Sequence, residues 1–172
     1  MSNLNIMKQA LNRAVIGPLR EQGFVGAWPH FKRLHADHIE LLTFQTNRYG
    51  GSFTVEMSAV FPFAANKNYT ERDGFSLDNI HVWDTNERYR LKGMYHGWFH
   101  YQDLYRKYIV FLGTDYVHIG EKEADAYVPP KGYRLVQEFN SETAEKICHC
   151  VNQQLKQGFS WMDRFVKRNL HS

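Results

Sequence analysis

The sequence predicts an α+β fold, an antiparallel β-sheet built as a central meander and packed against N-terminal and C-terminal helices. Three observations carry this prediction. Apolar residues recur at helical spacing near both ends, a nine-residue run in between alternates apolar with polar, and glycines separate runs of β-branched and aromatic residues. With 172 residues and no linker, repeat or low-complexity tract, residues 1–172 are expected to form a single α+β domain.

The first helix is expected over Asn5 to Gln22, where Met7, Leu11, Ala14, Val15 and Leu19 form one stripe and Gly23 is a stop. Pro18 lacks an amide donor and clashes with the carbonyl four residues back, so a kink or break is expected near Gly17-Pro18. Short strands follow at Phe24–Trp28 and Phe31–His35, then a longer one at Ile39–Asn47. Arg48-Tyr49-Gly50-Gly51 marks a hairpin, since glycine supplies the positive φ such loops need. In the next strand Phe53, Val55, Met57, Ala59 and Phe61 alternate with Thr54, Glu56 and Ser58, the pattern of a half-buried strand.

Ala64 to Asp78 is polar and read as loop. Ile80–Asp84 and Arg88–Lys92 look like short strands around a turn at Thr85-Asn86. Met94–Leu112 fits neither period throughout. Tyr101, Tyr105, Tyr108 and Leu112 would share a helix face, yet Tyr108–Leu112 has strand composition, and both readings stay open. Tyr116–Ile119 is a further candidate strand. Ser141 is the expected N-cap of a second helix with Ala144, Ile147, Cys148, Val151 and Leu155 buried and Gly158 ending it; Ser160 and Asp163 suggest a capping box for a short last helix.

Charge excludes little. Lys and Arg number 21 against 18 Asp and Glu, and no face or stripe concentrates the basic residues as in committed nucleic-acid binders. No apolar run is long enough for a membrane span, and the opening MSNLNIMKQALNR mixes polar residues and a base where a signal peptide needs apolar ones. Cys148 and Cys150, two apart on a helix, point away from each other and cannot pair. A cytoplasmic location is the expectation.

Motifs for chemistry are missing. His30, His35 and His38 lie in one hairpin, and His96 and His100 are four apart, but no Glu follows His96 and no second Cys pair completes a zinc pattern, so no metal site is expected. No nucleophile elbow or phosphate-binding glycine loop occurs, so catalytic residues and cofactors are expected to be none. Asp73, Asp78 and Asp84 are scattered acids. What stands out is Arg88–Tyr108, where Arg88, Arg90, Lys92, Arg106 and Lys107 interleave with aromatics. Rings and bases together suit single-stranded nucleic acid. Trp, Tyr and Arg also anchor protein interfaces, because they bury large area at low entropy cost. In 10 Tyr, 12 Phe and 4 Trp there are more rings than a small sheet hides, which favours the interface.

Phe44-Gln45-Thr46-Asn47-Arg48-Tyr49-Gly50-Gly51-Ser52-Phe53-Thr54-Val55, with the helix running into Gly23-Phe24 and the strand Phe31-Lys32-Arg33, resembles the central hairpin of the bacterial family "domain of unknown function 4304". The resemblance covers about residues 5–61. It assigns no activity, so Gln45 and Arg48 gain only a hairpin position from it. It implies a class of small bacterial α+β proteins, some of which neutralise toxins used between competitors. The resulting expectation is a non-catalytic binding protein, an immunity protein acting on a toxin, whose face includes Trp83, Tyr95, His96, Trp98, His100, Tyr101 and Arg106. The alternatives are a nucleic-acid-associated protein using the same residues, or an enzyme whose histidines and carboxylates converge in a pocket that spacing does not reveal.

Overall fold

The computed structural model describes residues 2–71, 73–94, 97–101, 108–112, 115–119, 134–136 and 139–170. Helix α1 (Asn3–Leu11) starts at Ser2, whose hydroxyl accepts the Asn5 amide. It does not break before Pro18. The turn widens instead to a π-helix over Asn12–Ile16, with the Gly17 amide donating to the Asn12 carbonyl, and α2 (Gly17–Glu21) continues. A π-turn relieves the proline clash by shifting the hydrogen-bond register by one residue. Gly23, at φ +92°, ends α2: its amide reaches the Arg20 carbonyl and the Phe24 amide reaches Leu19, the paired bonds of a Schellman motif.

Strands β1 (Val25–Ala27), β2 (His30–Leu34), β3 (Ile39–Thr46), β4 (Ser52–Val60) and β5 (Tyr89–Arg90) lie side by side in that order, and β6 (Phe99–His100) pairs with β4. The β1–β2, β2–β3, β4–β5 and β4–β6 pairs are antiparallel. The β3–β4 turn forms as expected: Asn47 accepts the Tyr49 amide through its side chain and the Gly50 amide through its carbonyl, and Gly50 and Gly51 both sit at φ +77°. A second sheet, in the order β8-β7-β9, joins β7 (Tyr108–Leu112), β8 (Asp115–Ile119) and β9 (Arg134–Val136), which settles Tyr108–Leu112 as strand. The architecture is α+β, and among the described residues no helix is long and apolar enough to cross a membrane.

Two compact units partition the backbone. One holds Met1–Pro18, Thr46–Thr54 and Lys92–Gln154; the other holds Leu19–Gln45, Val55–Leu91 and Leu155–Ser172. In the first, α1 buries Met7, Ala10 and Leu11, and Phe53 stacks on Phe99 at 5.2 Å. In the second, Ile39, Leu41 and Val60 form a core with Tyr69, Ile80 and Val82.

Three sequence expectations need correction. β4 is buried at all nine positions, not on one face. Two of its polar residues survive burial because they are satisfied: the Ser58 hydroxyl donates to the Glu87 carbonyl at 2.6 Å and accepts from Asn68, while Glu56 lies between Arg88 and Arg90 at 4.0 and 3.9 Å. Ile80–Asp84 is not a strand. Single 3₁₀ turns form at Leu77–Asn79 and Val82–Asp84, because side chains take the backbone donors a sheet would use. Asn79 accepts the Ser76 amide, Ser76 the Asp78 amide, and Asp84 the His81 amide. Finally, Gly158 does not end a helix. Helix α3 runs unbroken over Ser141–Leu170, with Asn140, one residue before the expected cap, accepting the Thr143 amide. A Cβ on Gly158 would lie 2.5 Å from the Met57 sulfur, so glycine is there to let α3 sit close on β4. Ser160 returns its hydroxyl to the Lys156 carbonyl and caps nothing.

Candidate functional site

The β1–β2 turn and the paired 3₁₀ turns enclose an open pocket of about 350 Å³. Its apolar wall includes Trp28, Phe31 and Val82, and its polar residues are His30, Lys32, Thr43, Asp78 and His81. Strand geometry sets their positions. His30 and Lys32, two apart on β2, project from one face, and His30 stands opposite Thr43 of β3, so that its Nδ1 meets the Thr43 hydroxyl at 3.0 Å. Lys32 donates to the Asp78 carbonyl at 3.0 Å. Trp28 is held by stacking on Phe44, with ring centroids 5.1 Å apart.

His81 enters from the first position of the Val82–Asp84 turn and stacks on His30 at 3.8 Å, the rings 14° from parallel. Trp83 meets His30 edge-on at 5.0 Å and keeps 46% of its surface exposed. Burial lowers the pKa of His30, and the neighbouring His81 lowers it further. Burial also lowers that of His81, with the Ile80 backbone opposing and Lys32 assisting. Both imidazoles are therefore neutral near pH 7, each offering one donor and one acceptor beside an ammonium and a hydroxyl. An apolar pocket with a few convergent polar groups is the usual form of a binding site.

Among the expected interface residues, Trp83 belongs to this site. Trp98 and His100 are half-buried in the other unit, His100 on β6 opposite Ser52. Tyr101 is 3% exposed, its ring tilted against Phe53 and Phe139, so it is core and offers no surface to a partner. Tyr95, His96 and Arg106 lie outside the described residues. Sequence reasoning missed His81 and Lys32 and set His30 aside. The one local signal was the i, i+2 placement of His30 and Lys32 on a strand; nothing local ties His81 to them.

Metal-ligating side chains also gather, at the β2–β3 turn. His35, His38 and Glu40 bring one ligand atom each to within 4.8 Å of the others, which no zinc spacing in the sequence announced. Glu40 is buried, which would raise its pKa, but the facing His38 and the Arg33 guanidinium outweigh that and bring it to about 2. Burial opposes the charge on His38, yet Glu40 and Asp37 raise its pKa. The cysteines are no candidates: both are buried thiols outside any disulfide, and burial pushes the Cys148 thiol up to about 12.

The family profile described as "Domain of unknown function (DUF4304)" matches residues 15–110. The match takes in the pocket residues and reaches well beyond the hairpin that suggested it. No curated protein and no solved structure matches the chain. Since the matched span is more than half the sequence, the chain belongs to the DUF4304 family.

Proposed function

We propose that this protein is a non-catalytic binding protein that holds a partner protein stoichiometrically at the Trp83 pocket, and that its partner is a bacterial toxin it neutralises in the cytoplasm. One observation carries the reading. Trp83 is about half exposed, yet its orientation is set by the edge contact with His30, itself stacked on His81. An oriented tryptophan beside an open pocket loses little entropy on docking and brings large apolar area, as interface hot spots do. Co-purification from the native cell with mass spectrometry tests it. A protein recovered at near-equal amounts, and bound at least about 30-fold more weakly by Trp83→Ala, is the expected result. Recovery of no such protein, or unchanged binding by the variant, overturns it.

A second reading has its own support. Two neutral imidazoles and Lys32 in one pocket are the parts of a general-base site, so an enzyme acting on a small polar substrate is the alternative. Turnover abolished by His30→Gln and by His81→Gln, with Trp83→Ala nearly neutral, would favour it over docking.

A further inference from the structure

From the β2–β3 turn we infer that His35, His38 and Glu40 form a site for a divalent transition-metal ion of the zinc class, with an open coordination position on the solvent side. The inference is independent of how the Trp83 pocket is used. It starts from the placement of His38. Its Nδ1 lies 2.6 Å from Asp37 Oδ1 and is engaged there. The ring's other nitrogen, Nε2, faces Glu40 Oε1 at 3.9 Å, too far for a direct hydrogen bond. With His35 alongside, one ligand atom from each of the three side chains lies within 4.8 Å of the others, two of them on buried residues. Tetrahedral zinc with bonds of about 2.0–2.1 Å sets its ligand atoms roughly 3.3–3.5 Å apart. His38 Nε2 stands 3.9 Å from Glu40 Oε1, near that spacing, while His35 Nε2 is 3.3 Å from the other oxygen, Oε2, and has to move toward Oε1 to complete the set.

The supporting contacts are those of a metal centre. Asp37 orients the ligating imidazole through its far nitrogen, the carboxylate–histidine arrangement common behind zinc. Glu40 is pinned by Arg33 Nε at 2.6 Å on Oε2, which leaves Oε1 for an ion. Arg33 is itself held by the Gln22 carbonyl and lies over the Phe24 ring, so it is anchored outside the ligand set. One rearrangement is required. The His35 and His38 rings stack nearly parallel at 4.1 Å, and parallel rings cannot both aim lone pairs at one ion. His35, the exposed residue just after β2, can turn out of the stack, whereas His38 and Glu40 are buried. The site thus has two fixed ligands and one that closes on the ion. Two imidazoles and a carboxylate suit zinc, cobalt or nickel better than calcium or magnesium, which prefer all-oxygen sets.

The test is titration of the full chain with Co²⁺ alone, followed by visible absorption, and with Zn²⁺ in competition. One ion per chain, displaced by Zn²⁺, is expected. His35→Ala and Glu40→Gln should each weaken it at least about tenfold, and Asp37→Asn by roughly tenfold through loss of orientation. His35 and Asp37 are exposed, so those two variants keep the fold, which far-ultraviolet circular dichroism verifies. Absence of stoichiometric binding by the unmodified chain, or binding unchanged in His35→Ala, would overturn the assignment.

Discussion

Asn152 donates its side-chain amide to the Ala14 carbonyl at 2.8 Å, and Ala14 is the residue four before Pro18, whose missing N–H would otherwise fill that role. The proline vacancy in the first helix is thus served by a side chain from α3, far along the sequence.

If this bond compensates for Pro18, its value depends on the proline. Asn152→Ala should cost about 1–3 kcal/mol, because it leaves a helical carbonyl without a donor. In a Pro18→Ala background residue 18 regains an amide, and the same substitution should cost measurably less. Urea denaturation of the four proteins gives the coupling; strictly additive losses would show that the two residues do not interact.

Gly158 offers a sign reversal. In an exposed helix interior Gly→Ala stabilises by up to about 1 kcal/mol. Here the new methyl would lie 2.5 Å from the sulfur of buried Met57, with Leu91 at 3.4 Å and Tyr89 at 3.5 Å leaving little room to yield. Gly158→Ala should destabilise by roughly 1–3 kcal/mol. Thermal melts check it, and a raised melting temperature would refute the close-packing role.

The His30–His81 stack predicts an acid-side loss of stability. Both folded pKa values lie below the ordinary 6.5, so the unfolded chain binds more protons as pH falls through about 6.5. Their contribution is complete above that pH and lost toward the lowered folded values. Lys32, whose ammonium disfavours charge on His81, acts in the same direction, while Thr43 and Trp83 facing His30 carry no charge here. His38, with a raised pKa, has the opposite dependence and cancels when wild type is compared with a His30→Gln/His81→Gln variant. Between pH 7.5 and 5.0 the wild type should lose more unfolding free energy than the variant. Equal losses would remove the stacked pair as a pH-sensitive element.

Much of the fold was legible because its signals are local. The Asn47–Gly51 turn, the strand that follows it and the Gly23 stop each depend on a few adjacent residues, and each is where it was expected, although that strand is buried on both faces and not on one. The errors came where a local rule met a distant partner. Gly158 reads as a helix terminator until Met57 is placed beneath it, and Ile80–Asp84 reads as strand until the Asp84 side chain claims the His81 amide and the Asp84 amide turns back to the His81 carbonyl.

By itself the sequence determined the α+β class, the order of the helices and the main hairpin, and the family, since periodicity, turn chemistry and motif order are properties of short stretches of chain. Only the tertiary structure decided which histidines act together. His30 meets His81, and His38 meets Glu40 and Asp37, through strand register and the packing of turns. Register and packing are set by burial of residues far apart in the chain, and no spacing rule along the sequence encodes them.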